Sequence, residues 1–560
     1  MESMVIFADE EQEKRVDFLK KREEEDLALM LSSKYGVEYV DLSLVAVNSD
    51  ALRLLTEEEA KDAEVALFGA VGKKLSLAAR SPQHPKVLTL VAKLEERGYT
   101  VTTFICSQES LRRAYDHYKD LSYATESKAG VFELSDKEVE ELLTTVKSLD
   151  DIGKLIEEAI TMKRAYRITR ILEIILAGGL STGASDIHLE PEEKVVRLRY
   201  RLDGVLVDVL TFDFETYHLT LSRLKLLSGM KLNITNEAQD GRFSIHLQGA
   251  EIELRASILP SNYAEAFVLR ILNPDSIAVP LEDLGMDTNL RERIEKEIAK
   301  PNGMILTTGP TGSGKTTTLY AFMRKINTPE SKIITIEDPI EYHLNGIVQT
   351  QVDKKNYTFA EGLRVTLRQD PDIIMVGEIR DGEVATTAIN AALTGHLVFS
   401  TLHTNDAAGA FPRLIDLGVS EKVLSSAVSV AMAQRLVRKL CAACKVPHSP
   451  TADEVQRLAH HLSTIVDRSM VPTTFTVYAA GPGCPECHGR GYKGRVGVYE
   501  AIFMDRAIEE ILRSKPSERE IALAARPQGV PTLQEDGVLK IVKGTTSLEE
   551  LERVVDLTVR

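Results

Sequence analysis

The sequence predicts a multidomain α/β protein built around a phosphate-binding core, and three observations carry that reading. The chain has 560 residues, more than one hydrophobic core usually holds, so three or four domains are expected. The apolar run GMILTT feeds the glycine-rich segment GPTGSGKT at Gly309–Thr316, which opens the helix-compatible stretch TTLYAFMRKI. Strand, loop and helix in that order form the context in which a phosphate loop is credible. Elsewhere strand-like alternation and helix-like periods follow one another, with turn dipeptides such as Asp203-Gly204 between them.

Composition narrows the class. Apolar residues make up 43% and charged residues 27% of the chain, ordinary values for a globular protein in water. The start, MESMVIFADEEQEKR, is acidic and lacks an apolar h-region, so no secretory signal is expected. Apolar runs such as ILEIILAGG fall short of the roughly 18–20 residues that span a bilayer. A cytoplasmic protein is expected, or one held at a membrane through partners. The net charge of −16 disfavours broad adhesion to nucleic acid or anionic lipid, and no nucleic-acid partner is expected. Five cysteines in such a chain do not read as a disulfide scaffold. Cys106, in TVTTFICS, reads as a buried strand residue.

Taken in order, residues 10–35 alternate charged and apolar positions at helical spacing. From Ala63 to Tyr118 the segments EVALFGAVGKKLSLAA, KVLTLVAKLEERG, YTVTTFIC and SLRRAYDHY read as hairpin, helix, strand and helix, a small α/β domain within residues 1–120. A polar loop at 120–130 and charged helical residues from Ser135 to Arg164 make 121–165 a linker. The next domain, 166–275, has strand-like alternation in VVRLRYRLDGVLVDVL, a helix in LTLSRLKLLSG, and further strands RFSIHL and EIELRASIL. Asn273-Pro274-Asp275 marks its end, and 276–440 forms the nucleotide core. A tetracysteine segment, 441–500, and a helical region, 501–560, complete the chain.

The chemistry lies mainly in the core. Main-chain N–H groups of the loop and the helix N-terminus bind anionic phosphate, and Gly309, Gly312 and Gly314 let the backbone approach it closely. Pro310, Thr311 and Ser313 complete the loop. Lys315 would reach the β- and γ-phosphates of ATP, the Thr316 hydroxyl would ligate Mg²⁺, and Thr317 stands beside it on the first turn. In KIITIEDPIEY, a strand stopped by Pro339 delivers Glu337, Asp338 and Glu341 as candidate acids. In DPDIIMVGEIRD, four apolar residues lead to Glu378, placed to act on metal-bound or attacking water. A buried strand with a capping acid is the alternative for either segment. In TGHLVFSTLHTNDA, a further strand carries His403 and Thr404 to its carboxyl end, where ligands of open α/β sheets bind. His403 is a candidate γ-phosphate sensor and His396, just before the strand, a second; a structural histidine is the alternative for each.

Cys441-Ala-Ala-Cys444 and Cys484-Pro-Glu-Cys487 each have the two-residue gap that lets a thiolate pair share one tetrahedral Zn²⁺. Residues 445–483 between them exceed the usual loop of about 15–20 residues. Redox pairs are the alternative, yet neither motif opens a helix after a strand. Such a site would be structural, since four thiolates leave no open position, and His448 and His488 are read as bystanders.

The succession GPTGSGKTTTLY, IEDPIEY, LRQDPDIIMVGEIRD and TGHLVFSTLHTNDA resembles the phosphate loop, aspartate box, second acidic motif and histidine box of the secretion ATPase superfamily, above all the type II secretion and type IV pilus assembly ATPases. The resemblance runs from Ala184 to the C-terminal end, and HGRGYKGRVGVYE after the second cysteine pair shares it. It implies a RecA-like ATPase core preceded by a PAS-like α+β domain, assembled as a homohexamer that uses ATP, Mg²⁺ and Zn²⁺. In ASDIHLEPEEKVVRLRYRLDGVL it implies that Arg199 and Arg201 reach the nucleotide. NITNEA lacks the arginine and proline usual there, and Ala264 stands where a glycine is usual. The cysteine cluster and the long N-terminal extension favour pilin or pseudopilin assembly over retraction. Such extensions dock onto an inner-membrane platform protein, so peripheral placement at the inner membrane is implied; this extension shows no clear cyclic-dinucleotide pattern. A retraction or DNA-uptake motor, a nucleic-acid translocase and a non-hydrolytic nucleotide-gated scaffold remain as alternatives.

Overall fold

A computed structural model describes residues 24–42, 45, 49–52, 54–71, 73–116, 118, 131–133, 142, 145–146, 148–162, 164–247, 250–273, 279–353 and 357–558. The polar loop expected at 120–130 and Pro274-Asp275 of the expected boundary lie outside them. The chain divides into two compact units, one from Met1–Glu126 and Ile156–Glu173, the other from Ser127–Leu155 and Ile174–Arg560.

In the first unit a three-stranded sheet joins β1 (Val65–Val71), β2 (Lys74–Ala79) and β3 (Thr100–Ile105). β1 and β2 form an antiparallel hairpin, and β2 pairs in parallel with β3 through the helix Pro85–Glu96. That helix starts where the His84 ring accepts from Lys86 N and proline fills the first position, which costs nothing because that N–H has no helical partner. Leu67, Leu77, Ala79, Val87 and Leu94 pack beneath the sheet. Cys106 is buried on its other face.

The second unit contains two seven-stranded sheets. The first holds β4 (Val131–Glu133), β5 (Ala184–Pro191), β6 (Val196–Leu202), β7 (Val205–Phe212), β8 (Gln239–Leu247), β9 (Ala250–Pro260) and β10 (Glu265–Leu272), in the order β4-β8-β9-β10-β5-β6-β7. Every pair is antiparallel except β4 with β8. β4 comes from the stretch expected to be linker; its three residues are ordered by main-chain pairing with β8, which a periodicity cannot reveal. β6 alternates buried and half-buried side chains along its whole length, the pattern of a sheet with one covered face. The β6–β7 turn places Asp203 at φ 51° and Gly204 at φ 86°, the paired left-handed geometry that Asp-Gly favours.

The second sheet is the core: β11 (Gly303–Thr308), β12 (Ile333–Glu337), β13 (Val348–Gln351), β14 (Ile373–Val376), β15 (Leu397–Leu402), β16 (Val428–Leu440) and, after the short pair β17 (Val446–Pro447) and β18 (Tyr478–Ala479), β19 (Tyr492–Phe503). Its order is β13-β12-β14-β15-β11-β16-β19, parallel except where β16 meets β19. β11, β12, β14 and β15 are buried at every position, as expected of parallel strands covered by helices on both faces. β11 lies between β15 and β16, so the loop leaving it emerges at the sheet's carboxyl edge between those two strands. Among the described residues, no helix is long and apolar enough to cross a membrane.

Candidate functional site

The loop Gly309–Gly314 connects β11 to the helix Lys315–Ile326. Gly314 caps that helix at φ 90° with no side-chain acceptor, so the first-turn N–H groups are left for an anion. A Cβ on Gly314 would stand 2.7 Å from Gln434 Nε2, and one on Gly309 2.6 Å from Gln434 O. Glycine is therefore required here by contact as well as by backbone angle. Pro310, Thr311 and Gly312 are exposed and Thr316 and Thr317 half-buried. Ser313 Oγ is buried without a partner, a polar atom that a bound phosphate group would satisfy. Lys315 Nζ donates to Gly309 O at 2.8 Å and Pro310 O at 3.2 Å. Burial pushes the Lys315 ammonium down, and the nearby Glu378 charge opposes that shift.

Glu378 follows β14 and His403 follows β15, neighbouring strands whose ends meet beside the loop. His403 Nε2 lies 3.3 Å from Glu378 Oε2, and Arg380 pairs with the other carboxylate oxygen. Burial pushes the Glu378 carboxyl up, but bonds from Arg380 and His403 outweigh it and hold the group below its ordinary value. Arg380 also faces Asp338 at 3.6 Å. Thr404 ties the two loops together: its N–H donates to Thr308 Oγ1 at 2.8 Å.

The other expected residues fall elsewhere. Glu337 is 2% exposed, and its carboxylate accepts from Tyr320, Thr335 and Gln349; it holds the β12 end together and is closed to water. Glu341 is half-buried beyond the cis Asp338-Pro339 bond and makes no ion pair among the described residues. His396 precedes β15 beside Gly303, at the opposite edge of the sheet from the loop, with Nδ1 3.0 Å from Ala391 O. That position corrects the expectation of a second sensor: a six-residue strand separates the two histidines. Arg199 and Arg201 pair with carboxylates of their own sheet, Arg199 with Glu190 and Arg201 with Asp186 at 3.3 Å. Arg255 of β9 does reach the core, donating to Ile340 O at 2.6 Å.

Sequence reasoning missed Gln434 and Arg435. They continue β16 past the last residue paired with β11, Ala433 opposite Thr308, and so run beside the loop. Gln434 Oε1 accepts from Thr318 Oγ1 at 2.9 Å. The only signal was a polar pair breaking the apolar run VSVAMAQRL.

The four cysteines of the two Cys-x-x-Cys pairs converge, with all Sγ atoms within 4.8 Å of one another. Cys441–Cys484, Cys444–Cys487 and Cys484–Cys487 sulfurs are 3.7, 3.8 and 3.8 Å apart. A tetrahedral zinc with Zn–S of about 2.3 Å has an S···S edge of about 3.8 Å, so donor type and spacing both fit. Main-chain N–H of Cys484 and Gly491 each donate to Cys487 Sγ at 3.2 Å. Burial pushes the Cys487 thiol up, but these bonds outweigh it and bring it to about 6. The segment also meets the antiparallel sheet, where Arg490 Nη1 lies 2.8 Å from Asp203 Oδ2.

Comparison with known proteins accounts for this set of features. The type II/IV secretion system protein family model matches residues 162–553, and the MshEN domain model matches residues 35–125. Type II secretion system protein E of Pseudomonas aeruginosa is 45% identical over 388 residues, 69% of this chain and 75% of that protein. The type IV pilus assembly ATPase PilB of Myxococcus xanthus is 35% identical over 535 residues, 94% of this chain and 91% of that one. The crystal structure of the ATPase DotB of Yersinia pseudotuberculosis shares the fold, with TM-score 0.50 and 20% identity over 71% of this chain and 95% of that one. With the family model spanning every strand of the two seven-stranded sheets except β4, and the cysteine cluster as well, the chain belongs to the type II/IV secretion system protein family.

Proposed function

We propose that this protein is the motor ATPase that drives assembly of pilin or pseudopilin subunits in a type IV pilus or type II secretion system. The chain is an ATP-hydrolysing enzyme of the family it belongs to. One observation carries the site assignment: Lys315, the uncapped N-terminus of its helix and the Glu378–His403 pair converge at the carboxyl edge of one parallel sheet.

In this reading the phosphates of ATP lie along the N–H groups of residues 309–316, and Lys315 exchanges its two carbonyl partners for β- and γ-oxygens. Glu378, ionised by its two partners, orients the attacking water and accepts its proton, while His403 contacts the γ-phosphate. Mg²⁺, when bound, neutralises phosphate charge, held by Thr316 with Asp338, Glu341 or Glu378 available as acids. Arg199 and Arg201 would add charge after a closure that frees them from Glu190 and Asp186. Cys441, Cys444, Cys484 and Cys487 hold a structural Zn²⁺. A homohexamer, cytoplasmic and peripheral at the inner membrane, would transmit closure and reopening to a membrane platform protein. The MshEN match covers most of the expected docking domain at 1–120.

The test is phosphate release by the full chain with Mg²⁺, beside export or pilus extension by the same variants in cells. Lys315→Ala and Glu378→Gln should abolish turnover and extension while remaining folded. Full activity of either variant overturns the site assignment; retained turnover with no effect of deletion on either surface system overturns the assembly role.

A further inference from the structure

We infer that Arg435 is a catalytic residue of ATP hydrolysis, supplied in cis by β16, whose guanidinium contacts the transferred phosphate group. The inference rests on the ATPase reading above and adds a residue to it. Three observations place it. First, parallel pairing of β16 with β11 ends at Ala433 opposite Thr308, so residues 434 and 435 run alongside the loop as it leaves the sheet. The position a Cβ would take on Gly309 lies 3.0 Å from Arg435 Nη1 and 2.8 Å from Ser313 Oγ. The guanidinium and the partnerless serine therefore share the wall of the loop.

Second, its bonds resemble those of Lys315. Nη1 donates to Gln434 O at 2.9 Å and Nη2 to Asn405 O at 2.7 Å; both acceptors are main-chain carbonyls. Among the described residues no carboxylate lies within ion-pair distance of it, whereas Arg380 is paired with Glu378 and Arg438 with Glu550. A half-buried cation held only by carbonyls keeps donors and charge for an anion. Third, Asn405 belongs to the segment that carries His403, so the guanidinium ties the end of β16 to the histidine loop beside Gly309 of the phosphate loop. The charge of Arg435 also depresses the Lys315 ammonium, and burial pushes its own guanidinium down against the opposing charges of Glu500 and Asp406, which lie beyond ion-pair distance. Two cations that repel each other across one loop are relieved together by a bound triphosphate.

The step balances without a proton from Arg435. The water oxygen bonds to the γ-phosphorus, the bond to the β–γ bridging oxygen breaks, and its electron pair leaves with ADP. The water proton goes to Glu378, and Arg435 donates N–H bonds to oxygens that gain charge.

The experiment uses the full chain and its Arg435→Gln and Arg435→Lys variants. Readouts are kcat, KM for ATP, and affinity for ADP with and without aluminium fluoride as a mimic of the transferred phosphoryl group. For Arg435→Gln, kcat should fall by a factor of about 10²–10³, with affinity for ADP alone within about threefold. The gain in ADP affinity that aluminium fluoride gives the wild type should be lost, and Arg435→Lys should restore part of both. Fluoride-linked affinity and kcat within twofold of wild type in Arg435→Gln would overturn the inference. So would equal losses of ADP affinity and thermal stability in both variants, which mark a loop-bracing role. A wild type without turnover would count against the ATPase reading itself, and the aluminium fluoride comparison would still decide on Arg435.

Discussion

His403 Nε2 lies 3.3 Å from Glu378 Oε2, joining the ends of two adjacent strands at the point where the phosphate loop leaves a third. The contact sets the charge of the acid. Without Arg380 and His403, burial alone would push the Glu378 carboxyl up; with them it stays below the ordinary range.

Arg380→Gln should therefore raise the Glu378 pKa and move the acid limb of the kcat–pH profile to higher pH. The stability linkage has the matching sign. A depressed carboxyl contributes stability above its unfolded value and loses it as pH falls through its folded value. Arg380→Gln should weaken that acid-side loss, whereas Glu378→Gln should abolish both it and turnover. A profile of kcat and urea midpoints from about pH 3 to 8, reaching below the ordinary carboxyl value of 4.5, checks both, and an unmoved acid limb in Arg380→Gln would show that Glu378 does not control the rate.

Gly314→Ala should uncouple nucleotide binding from folding. Its φ of 90° and the 2.7 Å approach of Gln434 Nε2 penalise a side chain at the helix cap, by about 1–2 kcal/mol from the backbone alone. ATP affinity should fall by at least about tenfold with only a modest loss of thermal stability. Calorimetric titration with ATP checks this, and wild-type affinity would show that the loop relaxes freely.

The full chain should carry one zinc per subunit, and Cys487→Ser should lose it. Gly481→Ala is the sharper probe, since its Cβ would stand 1.6 Å from Cys444 O and displace that ligand without removing a thiol. Both variants should show reduced zinc by elemental analysis and faster amide exchange across 441–500. Full zinc content in Cys487→Ser would mean that the other three sulfurs suffice with a different fourth ligand.

What the sequence made legible was whatever is local in the chain. The phosphate loop, the acid after an apolar run and the paired cysteine motifs are each read from a few adjacent residues, and neighbouring strands of the core sheet carry Lys315, Glu378 and His403 to one edge. Three features were hidden because they depend on register or on partners distant in sequence. His396 and His403 look like a pair until the strand between them places them at opposite ends. Glu337 looks like a second acid until Tyr320, Thr335 and Gln349 close around it. Arg435 looks like one more charged residue of a strand until β16 is seen to outrun β11. The cysteine pairs show the opposite case: residues 445–483 are a long insertion in sequence, yet the sulfurs meet at tetrahedral distances.

Glu518 yields the last prediction. A Cβ on Gly409 would lie 3.2 Å from Glu518 Oε2 and 3.4 Å from Asp406 Oδ1, so two carboxyl groups crowd one small residue at the foot of the histidine loop. The hydrogen bond with Asp406 pushes the Glu518 carboxyl up to about 7, helped by burial and by the charges of Asp406 and Glu500. Two carboxylates that share a site share a proton. Because the folded value is raised, the stabilisation is complete below the ordinary carboxyl value of 4.5 and is lost as pH rises through about 7. Glu518 is an exposed residue, so solvent screening limits the effect to on the order of 1 kcal/mol. Glu518→Gln should flatten the stability–pH curve between about pH 5 and 7 and leave the protein more stable than wild type at pH 8, where the like-charge contact is gone. Urea midpoints across that range measure it; parallel curves for the two proteins would mean that Glu518 and Asp406 do not share a proton.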